Sequence, residues 1–198
     1  MAYKQHFIEW FSGKGGTNKP NFAWQADNSG TATGAMSDSI DGGFAISTGA
    51  TNGSRGFIGF NQKWQFSPTG SVIVAVMKHG SVTGGESYTG LQDGTNSGSG
   101  KGAWSYVNDT WKGAFFNLYT VGASGATWTD SGVTSDTNWH THKIELTSSQ
   151  VSLKIDDVLS STSDTNLPAV ALQPSVGINT TSSANRTLNI RYMEVYNT

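Results

Sequence analysis

The chain has 198 residues, of which only 13% are charged, with 25 glycines, no cysteine and a formal net charge of −2. An average domain is about 25% charged, so the solvent-facing positions are expected to be rich in hydroxyls and amides rather than ions. The 12 lysines and arginines are scattered singly, which excludes the basic footprint of a nucleic-acid binder or a polybasic membrane anchor; the lack of cysteine excludes disulfides, thiolate zinc sites and a cysteine nucleophile.

A chain of this size is expected to form one domain, residues 1–198, with an all-β fold, because strand signals recur along it and apolar residues never repeat at helical spacing over three turns. Tyr3 to Phe11 reads as the first strand, with Tyr3, Phe7 and Phe11 as core anchors, and residues 14–19 as a glycine-rich turn. Phe22 to Trp24 and Gly43 to Thr48 follow, then Phe57 to Phe60, leading through Trp64 and Phe66 to a turn at Ser67-Pro68-Thr69-Gly70. The unbroken apolar run Val72 to Met77 predicts a central strand buried on both faces. Tyr88 to Gln92, Ala103 to Val107 and Ala114 to Val121 are the next strands, with a polar, glycine-rich loop at 93–102. Lys143 to Leu146, Ser149 to Leu159 and Arg186 to Tyr196 alternate cleanly, so that Ile144 and Leu146, then Val151, Leu153 and Ile155, then Leu188, Ile190 and Tyr192 each form an apolar row.

Residues 1–11 lack the apolar core of a signal peptide, and the longest apolar run is far short of the ~20 residues needed to span a bilayer as a helix. The expectation is a soluble protein made in a cytoplasm, with no membrane partner.

The order of landmarks in the last third resembles the concanavalin A-like jelly roll, the superfamily of laminin-G-type modules, legume lectins and many β-glucanases. The resemblance is carried by Trp139-His140 leading into Lys143-Ile144-Glu145-Leu146, the hairpin Leu153 to Leu159, Thr165-Asn166-Leu167-Pro168 and the closing strand Leu188 to Tyr196, and it implies a two-sheet antiparallel β-sandwich. The family's hairpin usually reads Asp-Gly; here Asp156-Asp157 leaves the turn type open. Phe11-Ser12-Gly13-Lys14, Asp38 to Phe44, Phe66 to Val72 and the ending Arg191 to Thr198 resemble tailed-phage virion proteins built on this sandwich. That resemblance implies a bacteriophage structural protein on the virion surface, synthesised in the host cytoplasm, with capsid proteins or other virion subunits as partners.

The residues themselves carry no catalytic signature. Retaining glycoside hydrolases need two carboxylates about 5 to 5.5 Å apart, which on one strand face reads as Glu-x-Asp-x-Glu. The glutamates Glu9, Glu86, Glu145 and Glu194 have no acidic neighbour two to four residues away, so the expectation is a protein that is not an enzyme and uses no cofactor. His140 and His142 share a strand face, as some zinc sites require, but no motif supplies a third ligand. Asp156-Asp157 and the pair Asp38 and Asp41 read as turn formers more readily than as calcium ligands.

Of the seven tryptophans, Trp10, Trp64 and Trp139 adjoin strands and are assigned to core or sheet-edge packing. Trp104, Tyr106, Trp111 and Trp128 are the candidate ligand-binding residues, since exposed rings stack on sugar faces while neighbouring amides and hydroxyls bond the hydroxyl groups; cross-strand packing is the alternative for each. Without a heptad stalk to attach a fibre, a capsid decoration (cement) role is expected. A carbohydrate-binding adhesin or tail-associated receptor-binding module recognising host-surface glycans is the alternative, and a polysaccharide hydrolase or lyase comes third. Edge strands make a homo-oligomer conceivable.

Overall fold

The computed structural model describes residues 5–11, 25–26, 28–36, 43–62, 64–94, 100–108, 112–113 and 115–198. The strands in chain order are β1 (His6–Trp10), β2 (Gln25–Ala26), β3 (Thr33–Met36), β4 (Phe44–Ser47), β5 (Arg55–Gly59), β6 (Ser71–His79), β7 (Gly85–Gln92) and β8 (Gly102–Asn108). They continue with β9 (Phe115–Gly122), β10 (Gly125–Thr134), β11 (Trp139–Leu146), β12 (Val151–Ile155), β13 (Val158–Ser163), β14 (Gln173–Thr180) and β15 (Thr187–Asn197). All pairings are antiparallel.

The strands make two sheets. The eight-stranded sheet runs β13-β12-β11-β6-β15-β4-β3, with β1 also beside β15; the seven-stranded sheet runs β10-β9-β8-β7-β14-β5-β2. Each sheet turns one alternating row of its central strands inward. Ile73, Ala75 and Met77, with Ile144, Leu146, Leu188 and Ile190, meet Ile58, Val176, Ile178, Leu91, Phe116 and Leu118 from the other sheet in one apolar layer. This is the expected jelly-roll sandwich, held by burial of those rows at about 25 cal/mol per Å2 of apolar surface.

The period-two segments near the end form β11, β12, β13 and β15, all in one sheet. Asp156 and Asp157 both have positive φ, 51° and 65°, so the two-residue hairpin is the primed type whose twist suits its strands. The run at Val72 is central, between β11 and β15, but its alternate residues Val74 and Val76, on the outward face, are only half-buried. Phe7 and Phe11 join the core; Tyr3 and the segments 14–19 and Phe22 to Trp24 lie outside the described residues.

One central strand escapes the sequence reading. β14 contains Pro174 and Gly177, which read as breakers, yet it lies between β7 and β5. Pro174 is tolerated near the strand's start, where a missing donor costs least. Gly177 is required by packing: a Cβ there would stand 2.1 Å from the Tyr88 hydroxyl.

Candidate functional site

The two sheets differ on their outward faces. Strand register places the outward residues of the seven-stranded sheet in rows that cross the strands. One row reads Arg55, Asn179, Glu86 and Asn108; the next reads Phe57, Gly177, Tyr88, Tyr106, Asn117 and Asp130; the third reads Gly59, Ser175, Gly90, Trp104, Tyr119 and Trp128. A polar row thus borders two aromatic ones.

Glycine makes the aromatic rows possible. The Tyr88 ring lies over Gly177, and the Trp104 ring lies over Gly102, where a Cβ would stand 2.6 Å from the indole. The rings lie along the sheet instead of projecting from it, and they stack in series. Tyr88 stacks on Tyr106 at 5.6 Å, Trp104 on Tyr119 at 5.5 Å, and Tyr119 on Trp128 at 4.0 Å, while Tyr106 meets Trp128 edge-on at 4.9 Å. Lys112 stands over Trp128, 5.6 Å from the ring centre.

Among the candidate ligand-binding residues, three come together in this cluster, from β8 and β10; Trp111 lies outside the described residues. Their exposure differs from the expectation of free rings. Trp104 is 1% exposed and Tyr106 7%, so cross-strand packing claims most of their surface, while Tyr119 and Trp128 remain half-buried at the accessible side.

The polar row is organised by a residue that the motif search set aside. One oxygen of Glu86 accepts from Asn108 Nδ2 at 2.8 Å; the other accepts from the Tyr106 hydroxyl at 2.9 Å and from Asn179 Nδ2 at 3.5 Å. Burial, followed by the charge of Glu86, pushes the Tyr106 phenol far above its ordinary range, and the same causes raise Tyr119. Both phenols therefore stay protonated, and Tyr106 remains a donor to Glu86. The Trp104 indole N–H and the Asn179 Oδ1 are buried without a hydrogen-bond partner among the described residues, a costly condition.

The second carboxylate on this face, Asp130, lies three strands from Glu86, a backbone separation of roughly 14 Å at the usual strand spacing. Its Oδ1 accepts from Gly132 N at 2.7 Å.

Two of the histidines lie in the sandwich interior. His142 and His79 are buried, with Nδ1 atoms 2.8 Å from the hydroxyls of Ser105 and Ser87. Burial lowers both: His79 to about 3, and His142 well below its usual value. His140, at the rim, is clamped by Asp156 Oδ2 at 2.6 Å and Asp136 Oδ1 at 2.8 Å; burial opposes its charge, and these two partners outweigh that and raise it. Asp156 also accepts from Thr141 N, so its carboxylate fastens a hairpin to the neighbouring strand. Among the described residues no three His, Asp or Glu side chains gather to hold a metal; Asp38 and Asp41 lie outside them.

No protein-family model matches the sequence, and no curated protein matches it. Solved structures match its fold along almost the whole chain. A glycoside hydrolase family 16 enzyme from the mixed-linkage glucan locus of Bacteroides ovatus is 12% identical with a TM-score of 0.67, covering 96% of this chain and 99% of its own. The β-glucanase of Bacillus licheniformis is 13% identical with a TM-score of 0.68 and 98% of both chains covered. A Crh5 transglycosylase is 16% identical with a TM-score of 0.66, covering 97% of this chain and 84% of its own. The chain has the concanavalin A-like jelly-roll fold of these proteins.

These neighbours correct the expectation of a non-enzymatic capsid decoration protein. They are glucan hydrolases and a transglycosylase, and none of these is a virion protein. The segments behind the phage resemblance belong to the sandwich frame. Phe66 bridges to Leu172, Gly70 N donates to Leu146 O, and the Ser71 hydroxyl donates to Asn197, so these landmarks report packing at the end of the sheets; residues 12–14 and 38–42 lie outside the described residues. The expectation that the chain is not an enzyme is corrected by the same neighbours. It rested on a one-strand motif, whereas the polar row is assembled from β7, β8 and β14.

Proposed function

We propose that this protein acts on a polysaccharide as a glycoside hydrolase or transglycosylase, with the outward face of the seven-stranded sheet as its substrate surface. The observation that carries the reading is Glu86, a carboxylate held by Tyr106, Asn108 and Asn179 at the border of an aromatic surface. The fold shared with glucanases supports it.

In this reading the half-buried rings of Tyr119 and Trp128 take the apolar faces of pyranose units, with Trp104 and Tyr106 as the layer that keeps them flat. Glu86 is the group that exchanges a proton with the sugar, oriented by its two amide donors and the Tyr106 hydroxyl; Asp130, at roughly 14 Å, is too far away to be the second carboxylate of the pair that this chemistry uses. Trp111 stays a candidate of the sequence for the same surface.

The test is incubation with mixed-linkage β-glucan, with released oligosaccharides read by mass spectrometry. Native protein is expected to release or rejoin fragments, and Glu86→Gln, which keeps the shape and removes the proton exchange, to lower the rate by roughly 100-fold or more. Absence of any product from the native protein would remove the catalytic assignment, and full activity in Glu86→Gln would remove Glu86 from it.

A further inference from the structure

The outward face of the eight-stranded sheet carries the most exposed tryptophan among the described residues, in a place where sequence reasoning expected packing. Trp10 is 64% exposed, and Ile8, on the same side of β1, is 47% exposed. Isolated exposed apolar residues need no explanation, but contiguous ones do. The antiparallel register sets Trp10 opposite Tyr192, Ile8 opposite Glu194 and His6 opposite Tyr196, so a two-strand ribbon presents one continuous stripe.

The stripe is ordered along its length. Trp10 rests against Tyr192 with ring centres 4.4 Å apart. Glu194 sits between the aromatic ends, its oxygens taken by His6 Nε2 at 2.7 Å and by the Tyr192 hydroxyl at 2.9 Å. Burial, then Glu194, pushes the Tyr192 phenol up to about 12. His6 meets Tyr196 edge-on at 5.7 Å. Beyond them opens a cavity of about 370 Å3 lined by Gln5, His6, Glu194, Tyr196, Asn197 and Thr198.

The chemistry of this lining selects the occupant. The amides of Gln5 and Asn197, the hydroxyls of Tyr196 and Thr198 and the Glu194 carboxylate, hydrogen-bonded to His6, offer both donors and acceptors, and among the described residues no Lys or Arg lines the cavity to attract a polyanion. An aromatic platform running into such a polar cavity suits a neutral sugar chain, whose rings present apolar faces and whose edges carry hydroxyls. The geometry points to a second glycan-binding site along β1 and β15, on the opposite side of the sandwich from Glu86. Its ligand class follows the proposed function, while its residues are separate. The two sites face away from each other across two sheets about 10 Å apart, so a short oligosaccharide occupies them one at a time. A long or particulate glucan engages both sides of the protein through different chains and is retained by avidity.

The test is electrophoresis of the folded full chain through native gels containing mixed-linkage β-glucan, with sedimentation of the same samples. Trp10→Ala is expected to reduce retardation between roughly twofold and tenfold in apparent affinity, Trp10→Phe to restore most of it, and Tyr192→Ala to match Trp10→Ala. In a Trp128→Ala background, adding Trp10→Ala is expected to abolish the retardation that remains. Native mobility in both Trp10→Ala and Tyr192→Ala overturns the site. So does a native dimer that Trp10→Ala converts to monomer with retardation unchanged, since the stripe then serves a second copy. If native protein cleaves no glucan but shows Trp10-dependent retardation, the reading of the Glu86 face fails and this site stands.

Discussion

The two outward faces of the sandwich are built from the same strand alternation and reach opposite results. On the seven-stranded sheet, glycines at 102 and 177 leave room for the Trp104 and Tyr88 rings to lie flat, and those two rings become almost as dry as the core. On the eight-stranded sheet the side chains stand up from β-branched and charged positions. Lys143 and Lys154 share Glu145 at 2.7 and 3.0 Å, and Trp139 lies between Lys78 and Arg191, while Trp10 rests on Tyr192 and keeps 64% of its surface exposed. The lesson is that the residue opposite a ring decides its exposure: a neighbour without a side chain lets an aromatic fold down and be covered, and a bulky one keeps it upright.

The largest effect that could break this comparison is loss of a flat ring. Trp104→Ala is expected to destabilise the fold by about 3–5 kcal/mol in chemical denaturation, although its ring belongs to an outward face; a cost below 1 kcal/mol would mean that the aromatic layer is not structural. Trp10→Ala is expected to cost far less than Trp104→Ala in the same experiment, because most of its ring is already in water.

The interior between the faces gives a test by pH. His79 and His142 have lowered values in the fold, so the unfolded chain binds more protons below its own value of about 6.5 and stability falls as pH drops from there. His140 is raised; its contribution is full below about 6.5 and fades as pH climbs through its folded value. With two buried histidines against one clamped at the rim, unfolding midpoints are expected to decline from pH 6.5 to pH 4.5. His142→Asn is expected to flatten that decline, and an unchanged slope would show that the imidazole charges without unfolding.

The smallest effect belongs to the charged face. Glu145→Gln leaves Lys143 and Lys154 without their shared partner, and because these are partly exposed ion pairs the expected cost is about 0.5 kcal/mol or less, further reduced by salt. A larger, salt-insensitive loss would mean that this face is more enclosed than its side chains indicate.

Much of the scaffold was legible because burial on one face writes a period of two into the sequence. Ile144 and Leu146, Val151 to Ile155, and Leu188 and Ile190 were readable as core rows for that reason; Tyr192, expected in the last row, faces outward because a register shift after Ile190 turns Met193 and Val195 inward instead. β14 was not, since Pro174 and Gly177 speak locally as breakers and only their neighbours, Leu91 and the Tyr88 ring, explain them. Trp104 and Tyr106 were readable as sharing a face, but not as buried, because burial depends on what the adjacent strand places beside them.

Glu86 marks the deepest limit of the sequence. It stands in a polar stretch without an acidic neighbour, and its significance comes from Asn108 and Tyr106 on one adjoining strand and Asn179 on the other. By itself the sequence determined the strand alternation and the all-β class, since hydrophobic periodicity is a local property of the chain, and the resemblance of its last third implied the jelly-roll sandwich. Only the tertiary structure decided which rings are covered, which carboxylate stands at an aromatic border and where Trp10 faces water, because those depend on strand register and sheet order, which join residues far apart in the chain.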